Sequence, residues 1–228
     1  MPEAHDDAHH DHHHDDGHGH GHANDRGLRG MLRYLRWAPS MWRSEINTAV
    51  LEMLAVQPGE RVLDVGAGMG AGSVLAARGG ATVVAVEPTP FMRRVLSGRR
   101  LLQRDRSRIE VVDGSAEEIP VADDSIDAVW AVNTMHHWVD VQRGVGEIGR
   151  VIRPGGRVLL VDEDFHDPAH PDHDRFGGEG SADDHHGFTM VDADAMGTLL
   201  SAAGFGDVVA AKRDVGGRPA IVVTATGA

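Results

Sequence analysis

The sequence has no cysteine among its 228 residues. Structural disulfides, thiolate metal sites and cysteine nucleophiles are therefore excluded, and with them every mechanism that needs a thiol. The chain also has no run of the roughly 18 to 20 uninterrupted apolar residues that cross a bilayer. It begins with acidic and histidine-rich sequence, whereas a signal peptide is basic and then apolar. We therefore expect a cytoplasmic protein with no membrane partner.

The sequence also has few cationic residues, with 22 Lys and Arg against 35 Asp and Glu, which gives a formal net charge of −13. Such a surface repels a phosphate backbone unless a local basic patch overcomes it. The densest cationic cluster consists of Arg93, Arg94, Arg99, Arg100, Arg104, Arg106 and Arg108. A charge run of this kind is usually a solvated helix face, so we do not expect nucleic acid as a partner.

Residues 1–26 contain nine histidines and six aspartates and almost nothing that could join a core. We expect them to form a disordered tail, followed by one domain over residues 27–228. Imidazoles this dense bind divalent nickel, zinc, copper or cobalt with little selectivity. The expected metal ligands are His9, His10, His12, His13, His14, His18, His20 and His22.

Apolar periodicity predicts strands that alternate with helices along most of the domain. A first helix is predicted over 41–56. The predicted strands are 61–65, 82–86, 108–112, 126–132 and 157–162, and the helices between them are 73–77, 90–102 and 141–152. This alternation implies parallel strands with helices on both faces, a doubly wound, Rossmann-like α/β fold.

The C-terminal part departs from this alternation. A helix over 191–203 precedes two β-branched runs, 207–215 and 219–226, which only Gly216, Gly217 and Arg218 separate. So short a connection joins antiparallel neighbours, because a parallel pair needs a crossover of about a dozen residues. We predict that an antiparallel hairpin completes the sheet.

A buried strand runs directly into a turn that contains Gly66, Gly68 and Gly70. Glycines let the backbone approach a ligand closely, so a nucleoside-like cofactor is expected at the strand ends. The same turn also satisfies a dinucleotide-binding pattern, with Glu87 as the acid about 20 residues later. Glu87, at the end of the second strand, could accept both hydroxyls of a ribose.

Asp64 helps to separate these alternatives. A carboxylate beside the glycine turn would repel a pyrophosphate, but it suits a cofactor that carries an amino group and a sulfonium. It could also serve only to cap the turn, and the two roles are compatible. Asp64 therefore disfavours a nicotinamide-dependent oxidoreductase.

Four motifs in chain order resemble those of class I S-adenosylmethionine-dependent methyltransferases, in the small-molecule branch of the ubiquinone/menaquinone and sterol enzymes. They are Asp64-x-Gly66-x-Gly68-x-Gly70; Glu87; residues 113–120 followed by 124–127; and residues 150–157. The resemblance covers about 42–226 and implies a seven-stranded sheet with an antiparallel last strand. It also implies S-adenosyl-L-methionine as the cofactor.

By this resemblance, the segment from Asp64 to Gly70 holds the methionine part, Glu87 the ribose, and Asp113 the adenine, while Asn133 faces the reacting region. The full set of implied cofactor-binding residues is Asp64, Gly66, Ala67, Gly68, Gly70, Glu87, Pro88, Asp113, Gly114, Ser115, Ala116 and Asn133. Residues 154–156 are expected to be only a turn that starts the fifth strand.

After the fourth strand comes Asn133-Thr134-Met135-His136-His137-Trp138, where the family has substrate-facing groups. His136 or His137 could act as a base for a phenol, a hydroxyl or an acidic carbon, or could merely pack or cap the next helix. The segment lacks the Pro-Pro-aromatic run that stacks a flipped base. We therefore predict a small-molecule acceptor; the alternative is a metal-handling protein whose methyltransferase-like domain is not catalytic.

The loop over 162–187 is long for a connection without secondary structure and lies at the expected active-site end of the sheet. It could act as a lid. Its histidines are His166, His170, His173, His185 and His186. Together with the loop's aspartates they could bind a divalent metal, or the loop could simply be solvated.

Overall fold

The computed structural model describes residues 45–171, 173–176 and 192–228. The tail over 1–26 and residues 177–191 of the long loop lie outside this part of the chain. The helices are α1 (Glu45–Leu54), α2 (Ala71–Arg78), α3 (Pro90–Leu101), α4 (Val141–Val151), α5 (His173–Phe176) and α6 (Ala193–Ala202). The strands are β1 (Arg61–Val65), β2 (Thr82–Val86), β3 (Ile109–Val112), β4 (Ile126–Val132), β5 (Ile152–Glu163), β6 (Gly206–Asp214) and β7 (Pro219–Thr226).

All seven strands form one sheet in the order β3-β2-β1-β4-β5-β7-β6. β1 to β5 pair in parallel, whereas β7 lies antiparallel between β5 and β6. Gly216 and Gly217, both at positive φ, make the tight turn that joins β6 to β7. The predicted doubly wound sheet with an antiparallel C-terminal hairpin is confirmed.

β5 begins five residues earlier than predicted. Ile152 already pairs with Ile126, and the next pair joins Arg157 to Ala128, so three extra residues bulge out of β5 between the two pairs. Gly155, at φ 70°, makes this bulge possible. Residues 154–156 were predicted to be a turn that starts the fifth strand. That prediction is wrong, because β5 pairs with β4 both before and after these residues.

The sheet separates two hydrophobic clusters, because successive side chains of a strand point to opposite faces. Leu63 and Val65 of β1 belong to the cluster that packs under α4 and α6. Val62 and Trp130 belong to the other cluster, which α1, α2 and α3 cover. No helix in the described ranges is long and apolar enough to cross a membrane.

The arginine cluster is not simply a solvated face, as the sequence suggested. Arg99 donates to the carbonyl of Met69 at 3.1 Å, Arg100 to that of Ile109 at 2.8 Å, and Arg108 to that of Gly80 at 2.8 Å. These contacts fasten α3 and the turn after it to neighbouring strands and loops. Guanidinium groups supply several donors in a fixed plane, which suits them to backbone carbonyls in turns and at the start of a strand.

Candidate cofactor and acceptor site

The predicted site residues meet at one edge of the sheet, where the parallel strands end. The glycine turn follows β1, Glu87 follows β2, Asp113 follows β3 and Asn133 follows β4. β1 lies between β2 and β4, so the strand order reverses direction beside the glycine turn. Ligands of open α/β sheets bind in the crevice at such a reversal.

The three glycines of the turn have different surroundings. All have positive φ, at 71°, 53° and 76° for Gly66, Gly68 and Gly70. A Cβ on Gly66 would overlap the side chain of Thr134, and one on Gly70 would overlap Leu96, whereas at Gly68 the space is open. Gly68 is therefore the point at which the backbone of the turn is accessible to a ligand.

Glu87 organises the turn through both of its carboxylate oxygens. Oε2 accepts from the backbone N–H of Gly68 at 2.8 Å, and Oε1 accepts from that of Thr89 at 2.8 Å. The side chain is buried, at 5% exposure. Because each carboxylate oxygen can accept more than one hydrogen bond, Glu87 can hold the turn and still receive ribose hydroxyls.

Asp64 lies beneath the turn with its side chain buried. Its Oδ2 accepts from the Ser73 hydroxyl at 2.6 Å, which ties β1 to the first part of α2. Burial raises the pKa of this carboxyl to about 6, with a smaller contribution from the nearby Glu87 charge and against the lowering effect of the Ser73 hydrogen bonds. The Ser73 contact supports a structural role in holding the turn; a cofactor contact stays a prediction.

Asp113 is far more exposed, at 73%, and pairs with Arg93 at 2.7 Å. Beyond it, a Cβ on Gly114 would lie 2.7 Å from Pro120 Cδ, so only glycine fits there. Ser115 exchanges two backbone hydrogen bonds with Glu118 and closes a small turn. The predicted adenine-binding segment is thus a compact turn beside the end of β2.

The Pro88 carbonyl, next to Glu87, accepts from Arg93 at 2.6 Å.

Asn133, on the far side of the glycine turn, has φ 52°. Its Nδ2 donates to Glu163 Oε1 at 2.8 Å, and its buried Oδ1 accepts no hydrogen bond from the residues that the structure describes. A buried acceptor of this kind suits a ligand donor.

The structure distinguishes the two candidate histidines. The Nδ1 atom of His136 lies 2.6 Å from Oδ1 of Asp162, and the His136 backbone N–H donates to Oδ2 of the same residue at 3.2 Å. The His136 side chain is 15% exposed and that of Asp162 is 1% exposed. His137 is exposed, with its ring centroid 4.1 Å from that of His136. A buried carboxylate therefore orients the ring of His136, which is the less exposed of the two histidines.

Sequence reasoning missed Asp162 as a site residue. The available signal was an aspartate at the end of the fifth strand, next in the sheet to the strand that precedes His136. The carboxyl ends of adjacent parallel strands meet at the same edge, which brings the two residues together.

Glu163, the next residue, collects three donors from separate parts of the chain. Asn133 reaches its Oε1, while His170 Nε2 and Arg218 Nη1 each lie 2.8 Å from its Oε2. The His170 side chain is fully buried. The interpretation of this loop as simply solvated is therefore wrong at His170, whose partner is a carboxylate at the end of β5.

The metal hypothesis for the same loop gains no support from its described part. His173 Nδ1 lies 2.9 Å from the carbonyl of Phe165. Across residues 45–171, 173–176 and 192–228, no group of three or more histidine, aspartate or glutamate side chains is arranged to hold a metal ion. His185 and His186 lie outside the described residues, as do the eight predicted ligands of the tail.

Residues 63–160 match the family model described as a methyltransferase domain. A Mycobacterium tuberculosis protein named an uncharacterized methyltransferase is 42% identical over 111 residues, which cover 49% of this chain and 43% of that protein. The demethylmenaquinone methyltransferase of Clavibacter sepedonicus is 38% identical over 122 residues, covering 54% and 47%. The chain thus spans less than half the length of these curated relatives.

The fold is shared with solved structures as well. The crystal structure of a SAM-dependent methyltransferase from Aquifex aeolicus has a TM-score of 0.62 and 22% identity, covering 82% of this chain and 93% of that one. The family model covers residues 63–160, and the relatives and the seven-stranded sheet agree with it, so this part of the chain is similar to the class I S-adenosylmethionine-dependent methyltransferases.

Proposed function

We propose that this protein transfers a methyl group from S-adenosyl-L-methionine to a small-molecule acceptor, with His136 as the base. The observation that carries the proposal is the pairing of His136 with the buried Asp162, at the same sheet edge as the Glu87-bound glycine turn. A cofactor site and an oriented base at one edge are what such a reaction requires.

The residues present fit the cofactor. Open space above Gly68 leaves room for a ligand against the backbone, and Glu87 offers carboxylate oxygens to a ribose. The Oδ1 of Asn133, which accepts no hydrogen bond from the described residues, is available to a donor such as an amino group. When bound, S-adenosylmethionine supplies an electrophilic methyl group on a sulfonium.

The pairing with Asp162 determines which nitrogen of His136 can act. In the tautomer whose Nδ1–H donates to the carboxylate, 2.6 Å away, the lone pair of the neutral ring lies on Nε2. Nε2 would then take the proton that the acceptor gives up on receiving the methyl group that bound S-adenosylmethionine would supply. Asp162 stabilises the resulting imidazolium and keeps the ring in place.

The acceptor class follows from this base. A neutral imidazole is strong enough for a phenol or an acidic carbon, and alignment of the acceptor supplies much of the remaining acceleration. The Clavibacter relative is named for demethylmenaquinone, which supports a quinol as the first acceptor to try.

The cofactor part is tested by calorimetry on the full chain. We expect micromolar binding of S-adenosylmethionine and S-adenosylhomocysteine, and a loss of about tenfold or more in Glu87→Gln, which weakens the ribose contacts. Glu52→Gln, at an exposed position of α1, is the matched control. No binding by the full chain would contradict the proposal, and tight binding of a nicotinamide dinucleotide in its place would indicate an oxidoreductase.

The transfer step is tested with radiolabelled cofactor and a demethylated naphthoquinol. We expect His136→Gln to lower the rate by about 10²- to 10⁴-fold and His137→Gln to lower it less. His166→Gln, at an exposed histidine, controls for the loss of an imidazole. Equal loss in His136→Gln and His166→Gln would refute the role of His136.

The histidine-rich tail supports a second element of the proposal, a divalent metal site outside the described residues. Nine imidazoles within 26 residues provide several ligand sets for nickel or zinc. Titration of the full chain with each metal should show binding that is weakened when His12, His13 and His14 are replaced by alanine. Metal binding without any cofactor binding would favour the alternative function, a metal-handling protein with a non-catalytic domain.

A further inference from the structure

Arg93 connects two of the strand ends that form the predicted cofactor site. From α3, its Nη1 donates to the backbone carbonyls of Glu87 and Pro88 at 2.7 and 2.6 Å, and its Nη2 donates to Asp113 Oδ2 at 2.7 Å. Its side chain is 18% exposed. One guanidinium therefore joins the segment after β2 to the carboxylate after β3.

This arrangement differs from that of the other arginines of the cluster. Arg100 and Arg108 donate to carbonyls of strand and loop backbone. Within the described ranges, Arg93 is the arginine that pairs with a predicted cofactor-binding acid. Arg93 therefore contacts the side chain of a predicted site residue as well as backbone.

Apart from Arg93, few contacts among the described residues restrain the side chain of Asp113. Its side chain is 73% exposed, and an exposed aspartate samples several rotamers. The rigid, planar guanidinium, itself fixed by two carbonyls, limits Asp113 to one orientation. The pairing uses one carboxylate oxygen and leaves the other able to accept a hydrogen bond.

We propose that Arg93 is a positioning residue that aims Asp113 at the 6-amino group of an adenine, and so makes the site selective for adenine over 6-oxopurines. The inference rests on the proposed cofactor function. A carboxylate held in this orientation accepts from the amino group of adenine. A free carboxylate could turn instead toward the N1–H donor that a 6-oxopurine presents.

The test compares S-adenosylhomocysteine with S-inosylhomocysteine, which has a 6-oxo group in place of the 6-amino group. Both are titrated calorimetrically into the full chain and into Arg93→Gln. We expect the wild-type protein to prefer the adenine compound by about tenfold or more, because an unmatched polar group is costly to bury. In Arg93→Gln the preference should shrink to about threefold or less, mainly through weaker binding of the adenine compound.

Two further variants separate positioning from general damage. Arg94→Gln removes the same charge from the next residue of α3, which is exposed, and should keep the wild-type preference. Arg93→Lys retains a cation near Asp113 without the fork geometry, and should restore part of the preference. Thermal melting of each variant checks that it is folded.

The outcomes distinguish this inference from the proposed function. If the wild-type protein binds neither compound, the cofactor function and the inference both fail. If the wild-type protein shows the preference and Arg93→Gln keeps it, only the inference fails. Equal weakening of both compounds in Arg93→Gln would make Arg93 a structural brace and would also overturn its role in selectivity.

Discussion

Asp64 and Asp162 are both buried carboxylates near the site, but their partners give them different roles. Asp64 accepts from a neutral hydroxyl, that of Ser73, whereas Asp162 orients the His136 ring. Neither partner is apparent from spacing along the chain: Ser73 comes from the next helix, and His136 from another strand end. The sequence could therefore nominate His136 and His137 together but could not choose between them.

The buried Asp64 makes stability depend on pH in a defined window. Its pKa is about 6 in the folded protein against 3.8 for an ordinary aspartate, so between these values the folded state binds the proton more tightly than the unfolded chain. The free energy of unfolding should therefore fall as pH rises from about 4 to 6, by about 3 kcal/mol from this group.

The measurement is urea unfolding of wild-type protein and Asp64→Asn at pH 4 and pH 7. The variant cannot ionise at this position, so its stability relative to wild type should increase by about 3 kcal/mol between the two pH values. Subtracting the wild-type free energy of unfolding from that of the variant at each pH removes the contribution of the other ionisable groups. A pH-independent difference would show that the pKa of Asp64 is not raised.

Asp162 and His136 should act as a unit. Asp162→Asn should lower methyl transfer to the naphthoquinol by about tenfold or more, because the ring loses the partner that fixes its orientation. The double variant with His136→Gln should be no slower than His136→Gln alone. If the steady-state rate losses of the two single variants multiply in the double variant, the two residues work independently.

At the scale of elements, the sequence predicted β2, β4 and β7 with the bounds that the structure has. Each is a β-branched run bounded by turn residues, so local pattern suffices. β5 was predicted too short because a bulge at Gly155 has the composition of a turn. A bulge depends on pairing with a neighbouring strand, which local composition does not reveal.

The turn between β1 and α2 offers a matched pair of glycine substitutions. Gly70→Ala should destabilise the fold by about 2 kcal/mol or more, since a new Cβ at positive φ would meet the Leu96 side chain. Gly68→Ala, with open space, should cost only about 1 kcal/mol through its backbone conformation. Denaturant unfolding measures both.

Adding Leu96→Ala to Gly70→Ala provides the control. Leu96→Ala removes the side chain that the new methyl group would meet. Gly70→Ala should therefore destabilise the Leu96→Ala protein by less than it destabilises wild type. Strictly additive losses would contradict a steric cause.

Glu163 should hold the segment after β5 in place. Glu163→Gln leaves Arg218 and the buried His170 without their carboxylate partner, and we expect a loss of about 2 to 3 kcal/mol. Hydrogen exchange should accelerate at the amides of Asp167 and His170. The exposed Asp174→Asn is the control, and similar exchange in both variants would refute the role of Glu163.

At the scale of the whole molecule, alternation along the chain predicted the α/β architecture but not the order of strands. β7 is last in the chain yet lies inside the sheet, between β5 and β6. This insertion depends on which apolar faces fit together across the whole fold. The residues predicted to bind the cofactor nevertheless lie together at one sheet edge, because parallel strands end on the same side, and their role in binding stays a prediction.

Cofactor binding should stabilise the entire fold, since the predicted site needs the ends of four strands in register. S-adenosylhomocysteine at 100 times its dissociation constant should add about 2.7 kcal/mol and raise Tm by roughly 5 to 10 °C. At the same concentration Glu87→Gln should lose about half of this shift or more, as a tenfold weaker affinity implies, whereas Glu52→Gln should keep it. Scanning calorimetry measures the shift, and an equal shift in both variants would exclude Glu87 from the site.

The position of β1 also affects how the chain acquires its site. The β6–β7 hairpin joins Asp214 to Pro219 and can form early, because its partners are close in sequence. β1 pairs with β4 by joining Val62 to Ala128, more than sixty positions later, and contacts of such long range form slowly. Since the glycine turn directly follows β1, a refolding chain should regain secondary structure before it regains affinity for the cofactor.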